Sequence, residues 1–182
     1  MAEILLKSLN KNVAKWLYLG VLMLVIQIIL GGITRLTESG LSITEWNPIT
    51  GALPPLNTAE WQSEFAKYKG TDQFRYINAN FSLSDFKFIF FWEWLHRTWA
   101  RLMGVVFLVG FFYFLLKKQF KKDMIIPFII LFLLGAVQGA IGWIMVESGL
   151  MPEKMFVDHI KLATHFMTAL VLLCYTFWFA LS

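Results

Sequence analysis

Four apolar runs constrain this chain more than anything else in it. They cover about 16–33, 94–116, 124–146 and 162–181, and each approaches or exceeds the roughly 20 residues that a bilayer core demands. Backbone groups in hydrocarbon find no water. Runs of this kind therefore satisfy their own N–H and C=O groups as helices. The fold class that follows is all-α: a polytopic membrane four-helix bundle within a single domain, 1–182, with one long loop at 34–93. The chain is 58% hydrophobic, 17% aromatic and only 15% charged, which is a membrane balance. Residues 1–15 are short and basic, and the apolar run after them exceeds a signal-peptide core, so no cleavable leader is expected.

Charge sets the expected orientation. Lys7, Lys11 and Lys15 precede the first run, and Lys117, Lys118, Lys121 and Lys122 crowd the connection between the second and third. The positive-inside rule puts both on the cytoplasmic face of a bacterial inner membrane, or the matrix face in a mitochondrion. The segments 34–93 and 147–161 then lie outside. Acidic lipid accounts for the lysines, and nothing in their pattern calls for nucleic acid. Cys174 is the single cysteine, so neither a disulfide nor a zinc site is expected. The chain has no C-x-x-C-H, which excludes covalent heme attachment of the c type.

The loop 34–93 has structure of its own. Pro48, Gly51, Pro54 and Pro55 break it early. NTAEWQSEFAKYK then reads as a short helix, started by Asn57 and Glu60 in a capping-box pattern. Trp61, Phe65 and Tyr68 recur at helical spacing, a stripe for the membrane surface or the tops of the spans. Ser82 and Asp85 form a second cap, so the second spanning helix should begin near Leu83.

That helix carries the chemistry. Glu93, His96, Arg97 and Arg101 follow one another within a turn or so, at the end of an apolar run. His96 lies about 31 Å from Lys117 at 1.5 Å per residue, near the outer edge of the hydrocarbon. His165 falls at a comparable depth in the fourth run. His159, six residues earlier, reads as a surface residue. In the third run Pro127 is tolerable near the start, Gly135-x-x-x-Gly139 reads as a packing face, and Gln138 should bond a neighbouring helix. Arg35 and Glu38 are either an interfacial pair or ligand-binding groups.

A weak repeat runs through the chain. Gln27-x-x-x-Gly31 leads to ESGL at 38–41, and Gln138-x-x-x-Gly142 leads to ESGL at 147–150. Each block precedes a span with a histidine near its outer end and an alanine four residues on, Ala100 after His96 and Ala169 after His165. Two related hairpins of the same orientation would set the two imidazoles facing each other across a pseudo-two-fold axis.

Two imidazoles at matched depth on facing helices suit axial ligation of one heme iron. Ala100 and Ala169 would leave room for a flat macrocycle. Arg97 and Arg101, with Arg35, suit its propionates, and Glu93 suits proton transfer. The ordinary readings stand beside these. An interfacial histidine is often merely hydrogen-bonded, and Glu93 with Arg97 makes a simple i,i+4 pair.

GGITRLTESGLSI, FKFIFFWEWLHRTWARLMG, QGAIGWIMVESGL and KLATHF together resemble the heme A synthase family, in its proteobacterial and mitochondrial branch. The resemblance implies an inner-membrane enzyme that oxidises a methyl group of heme O to the formyl group of heme A for cytochrome oxidase. Glu93, His96 and Arg97 match the family's Glu-x-x-His-Arg motif and His165 its second histidine. The pair would hold the heme, with Glu93 catalytic. Family members usually have two four-helix halves, and a histidine pair in the later half binds heme b. This chain resembles the first half, so a second half, or a second copy, is the expected partner, and the electron donor is unidentified. The cysteine pair in the outer loop of some relatives is missing. The alternatives are a bis-histidine b-type electron carrier, which would leave the ring unchanged, and a scaffold without heme.

Overall fold

The computed structural model describes residues 10–45, 47 and 50–182. The expectations for Lys7 and Pro48 lie outside these. The described residues form six α-helices: α1 (Lys11–Leu36), α2 (Thr58–Lys69), α3 (Asp72–Tyr76), α4 (Leu83–Leu116), α5 (Ile125–Gly149) and α6 (His159–Leu181). Helices α1, α4, α5 and α6 are long and apolar enough to cross a membrane. The chain is a multi-pass, all-α membrane protein, as its runs require. Two one-turn 3-10 segments, Thr50–Ala52 and Lys122–Met124, punctuate the connections.

Helix ends follow their caps. The Ser82 side chain accepts from the Asp85 N–H, and the Asp85 carboxylate answers the Ser82 N–H, so α4 starts where the sequence places it. Asn57 caps α2 in the same manner, with Glu60 reaching back to the Leu56 N–H at 2.7 Å. Asp158 accepts from the N–H groups of Ile160 and Lys161 and opens α6. The helices outrun the apolar stretches. α1 continues through Gly31 and Gly32 to Leu36, and α5 continues to Gly149, because their polar last turns pack against loop residues. The short α3 has no apolar periodicity to betray it; only the Thr71 cap onto Phe74 N–H marks its start.

Helix α1 packs along both α4 and α6, and α6 packs along α5. Two hairpins, α1–α4 and α5–α6, are thus joined through α1 and α6. At the end bearing the short α4–α5 connection, rings bring α4 and α5 together: Phe111 meets Phe128 at 5.8 Å between centroids, and Phe107 meets Phe132 at 6.3 Å. Phe128 is the centre of this cluster, 4.5 Å from Phe120 and 4.8 Å from Phe179. The Trp16 indole closes on Gly110 of α4 and donates to the Val106 carbonyl at 3.2 Å. Val105, Val109 and Phe112 of α4 remain exposed, a face suited to lipid.

The opposite, loop-rich end has its own core. Phe65 and Tyr68 of α2 stack on Phe86 of α4, and Trp61 meets Phe90 edge-on. The aromatic stripe of α2 therefore lies on the first turns of α4. Tyr68 is fully buried within a polar chain. Its hydroxyl donates to the Gln73 side-chain oxygen and accepts from Asn78, and Gln73 donates to the Glu38 carbonyl. Burial raises the Tyr68 phenol above its ordinary pKa, against the lowering effect of the Asn78 bond.

Two expectations need correction. Gly135 and Gly139 face outward with open space around them; the turn of α5 that α6 approaches is the one bearing Gly142. Arg35 and Glu38 form no ion pair among the described residues, because Glu38 sits at φ 54, in the left-handed region, as the chain leaves α1. The Glu38 N–H bonds the Arg35 carbonyl instead.

Trp16 already occupies the space that a side chain at 110 would need. Gly110→Val should therefore lower stability by about 1–3 kcal/mol through overpacking. Unfolding in mixed detergent micelles, compared with wild type, measures this.

Candidate functional site

The sequence singles out two histidines, and the structure treats them alike. His96 of α4 lays its Nε2–Cε1 edge against Gly31 of α1, so that a Cβ at 31 would meet Nε2 at 3.3 Å. His165 of α6 lays its ring against Gly142 of α5, where a Cβ would meet Cε1 at 2.8 Å. Each imidazole is half-buried; a Cβ at 142 would collide with the His165 ring, and one at 31 would press on the His96 ring. The repeat had paired Gly31 with Gly142 and His96 with His165; in space each glycine seats the histidine of its own hairpin. Ala100 is exposed and Ala169 half-buried. His159 is exposed at the first residue of α6, as expected.

Gln138 behaves as its mid-span position suggests. Its Nε2 donates to the His165 carbonyl at 2.9 Å and lies 3.2 Å from His165 Nδ1. Its Oε1 accepts from the Thr168 hydroxyl at 2.6 Å. The second histidine is thus held by a polar group from the neighbouring helix.

Glu93 is 2% exposed, among the most buried side chains of the described chain. Its Oε2 accepts from the Ser42 hydroxyl at 2.6 Å and from the Ile43 N–H at 2.9 Å. Its Oε1 accepts from Arg97, one turn on. Arg97 continues to the carbonyls of Ile43 and Glu45, and Arg101 donates to the Asn47 carbonyl at 3.0 Å. The acid and the two arginines thus clamp Ser42, Ile43, Glu45 and Asn47 onto α4. The i,i+4 pair forms, yet it is one part of a larger polar junction. Its loop half, Ser42 and the Ile43 N–H, went unnoticed in the sequence, because nothing local tells a serine beyond α1 that it will meet a carboxylate on α4. A cavity of about 390 Å³ lies between Ile43, Asn47 and Pro54 on one side and Arg97, Arg101, Trp94 and Glu60 on the other. Arg35 stands apart, exposed at the last turn of α1.

At the rim, Lys67 pairs with Glu45 at 3.0 Å and Glu64 at 2.8 Å. The two acids raise the Lys67 pKa, and Lys67 lowers that of Glu45.

A four-helix membrane protein with a half-buried imidazole in each hairpin and a buried acid–arginine junction is the class that the fold defines. Comparison makes the class specific. The chain belongs to the cytochrome oxidase assembly protein family, whose model matches residues 14–182. It is 46% identical over 97% of its length to a heme A synthase of Flavobacterium johnsoniae. It is 52% identical over 85% of its length to one of Rhodospirillum centenum, and 47% over 95% to one of Roseobacter denitrificans. These alignments take in 52%, 41% and 46% of the relatives, so the chain spans about half the length of the curated relatives it matches. No solved structure matches it.

Removing one member of a buried ion pair strands the other. Glu93→Ala should therefore destabilise the protein by about 3–5 kcal/mol and free the segment 42–47. Limited proteolysis of membranes should then cut near residues 43–56 in the variant and not in the wild type.

Proposed function

We propose that the chain holds a heme between α4 and α6 and serves the oxidation of the heme O methyl group to the formyl group of heme A. It would act as one half of a two-half enzyme. The observation that carries this reading is the pair of imidazoles, one in each hairpin, each laid against a glycine of the neighbouring helix. The heme A synthase names of the relatives support the substrate class.

His96 and His165 would hold the heme iron in this reading. The donor set fits: imidazole is the common protein ligand of heme iron. The heme, when bound, supplies the redox-active iron. The chain's own groups do the rest. Arg97 and Arg101, with Arg35 at the rim, bind the propionates; a carboxylate is a stronger acceptor for guanidinium than the backbone carbonyls now engaged. Glu93 lies three residues before His96, on the same helix face, and takes or delivers protons. Its contacts to Arg97 and Ser42 connect that carboxylate to the loop-rich end.

The whole of 1–182 acts as one four-span unit in this reading, with the loop 34–93 outside. The lysines before α1 and between α4 and α5 support a cytoplasmic N-terminus in a bacterial inner membrane. A second four-helix half, or a second copy, supplies the partner surface and the heme b site, and the electron donor docks elsewhere.

Absorption spectra and heme extraction test the reading. Wild-type protein should show a Soret band, and His96→Ala and His165→Ala should each abolish or strongly shift it. A band unchanged by both substitutions refutes the ligand assignment. Extracted heme bearing a formyl group supports ring oxidation; unaltered heme assigns the site to electron transfer.

A further inference from the structure

Among the described residues, the spanning helices close three seams and leave a fourth open. α4 packs along α1, α1 along α6, and α6 along α5. α4 and α5 follow one another in the chain yet share no such seam. Their rings meet at the end near the short connection, Phe111 with Phe128 and Phe107 with Phe132. On α4, Gly104 and Ala100 continue the row of Phe111 and Phe107 at helical spacing. On α5, Gly135 and Gly139 continue the row of Phe128 and Phe132. All four small residues are exposed. Rings thus close one part of this wall, and the part nearer the histidines is left as a slot.

Glycine is a poor helix former, and in membrane helices it usually serves the close approach of a neighbour. Gly31, Gly110 and Gly142 fit that use, each meeting a ring. Four helical glycines have no described atom within 4 Å of the place a Cβ would take. Gly32 lies in the last turns of α1; the others are Gly104, Gly135 and Gly139. Their depth is that of hydrocarbon. Gly104 is about 20 Å from Lys117 at 1.5 Å per residue, and the exposed Val105 and Leu108 flank it. Gly139 stands one turn from Gly142, against which His165 lies, and Ala100 one turn from His96. The chain alone is also incomplete at this depth. Gln27 of α1, between the contacts of Met23 with Trp99 and of Gly31 with His96, has its Oε1 buried without a partner, and buried acceptors are rarely left so.

We propose that the slot between α4 and α5 takes the isoprenoid tail of heme O and leads it from the ring into the bilayer. The inference rests on the heme reading above. A heme held between α4 and α6 has α1 packed on both of those helices, so its sideways route to lipid is the seam between α4 and α5. Heme O differs from protoheme, the tailless heme, by that apolar chain. The tail has no reason to leave lipid, which is as apolar as itself, so it rests in the slot while the histidines hold the ring. The side chains missing at 104, 135 and 139 then decide that the site admits a tailed heme.

The test titrates heme O and protoheme separately into the chain in lipid nanodiscs, read by the Soret band. Gly104→Leu and Gly139→Leu fill the slot from either side, and the open space at each admits the new side chain. Each should weaken heme O binding about tenfold through overpacking against the tail and leave protoheme binding within about twofold of wild type. Protoheme binding in the same variant shows that it has folded; where one binds neither heme, Gly135→Leu on the same row takes its place. Both hemes weakened alike, or neither weakened, overturns the proposal. A variant that changes only the oligomeric state, measured by light scattering, assigns the slot to packing on further helices and overturns it equally. The heme reading fails separately: wild type that binds neither heme, or binding that survives both His96→Ala and His165→Ala, removes that reading and the slot with it.

Discussion

An imidazole edge laid against a glycine, once in each hairpin, is the contact around which this bundle is arranged. It fixes how near α1 comes to α4 and α5 to α6 at the depth of the histidines. Helices in a bilayer have little hydrophobic reason to associate, because lipid tails are as apolar as leucine. Close packing and polar bonds must then hold them. Small residues that admit a ring, and groups such as Gln138 that bond across helices, are the means the chain uses.

The loop-rich end is secured differently. A carboxylate buried at 2% exposure would be expensive if left unpaired. Glu93 meets that cost with Arg97, the Ser42 hydroxyl and the Ile43 N–H. Because two of those donors belong to the loop, satisfying the acid also pins the loop to α4. The aromatic cluster of α2 and the Tyr68–Gln73–Asn78 chain fasten the remainder of the loop to the same helix. The region beside His96 is therefore held by charge and packing together.

Outward faces bear on assembly. Gly135 and Gly139 have open space around them, and α4 and α5 expose branched and aromatic side chains along their length. The curated relatives are about twice as long as the portion aligned here. A small-residue face without a neighbour in this chain is consistent with packing on lipid or on further helices.

Much was legible in the order of residues. Four apolar runs fixed four spanning helices, since hydrocarbon leaves the backbone no other arrangement. Ser82 with Asp85, and Asn57 with Glu60, fixed two helix starts, because a cap acts within four residues of itself. The histidines, the acid and the arginines stood out for their rarity in apolar surroundings, and the repeat related their two hairpins. Tertiary structure alone decided that Glu93 would be met by Ser42 and Ile43, that the α2 stripe would lie on α4, and that Gly142 rather than Gly135 or Gly139 would receive a neighbour. Those outcomes depend on which faces of separate helices meet, and on rotations that no local pattern encodes.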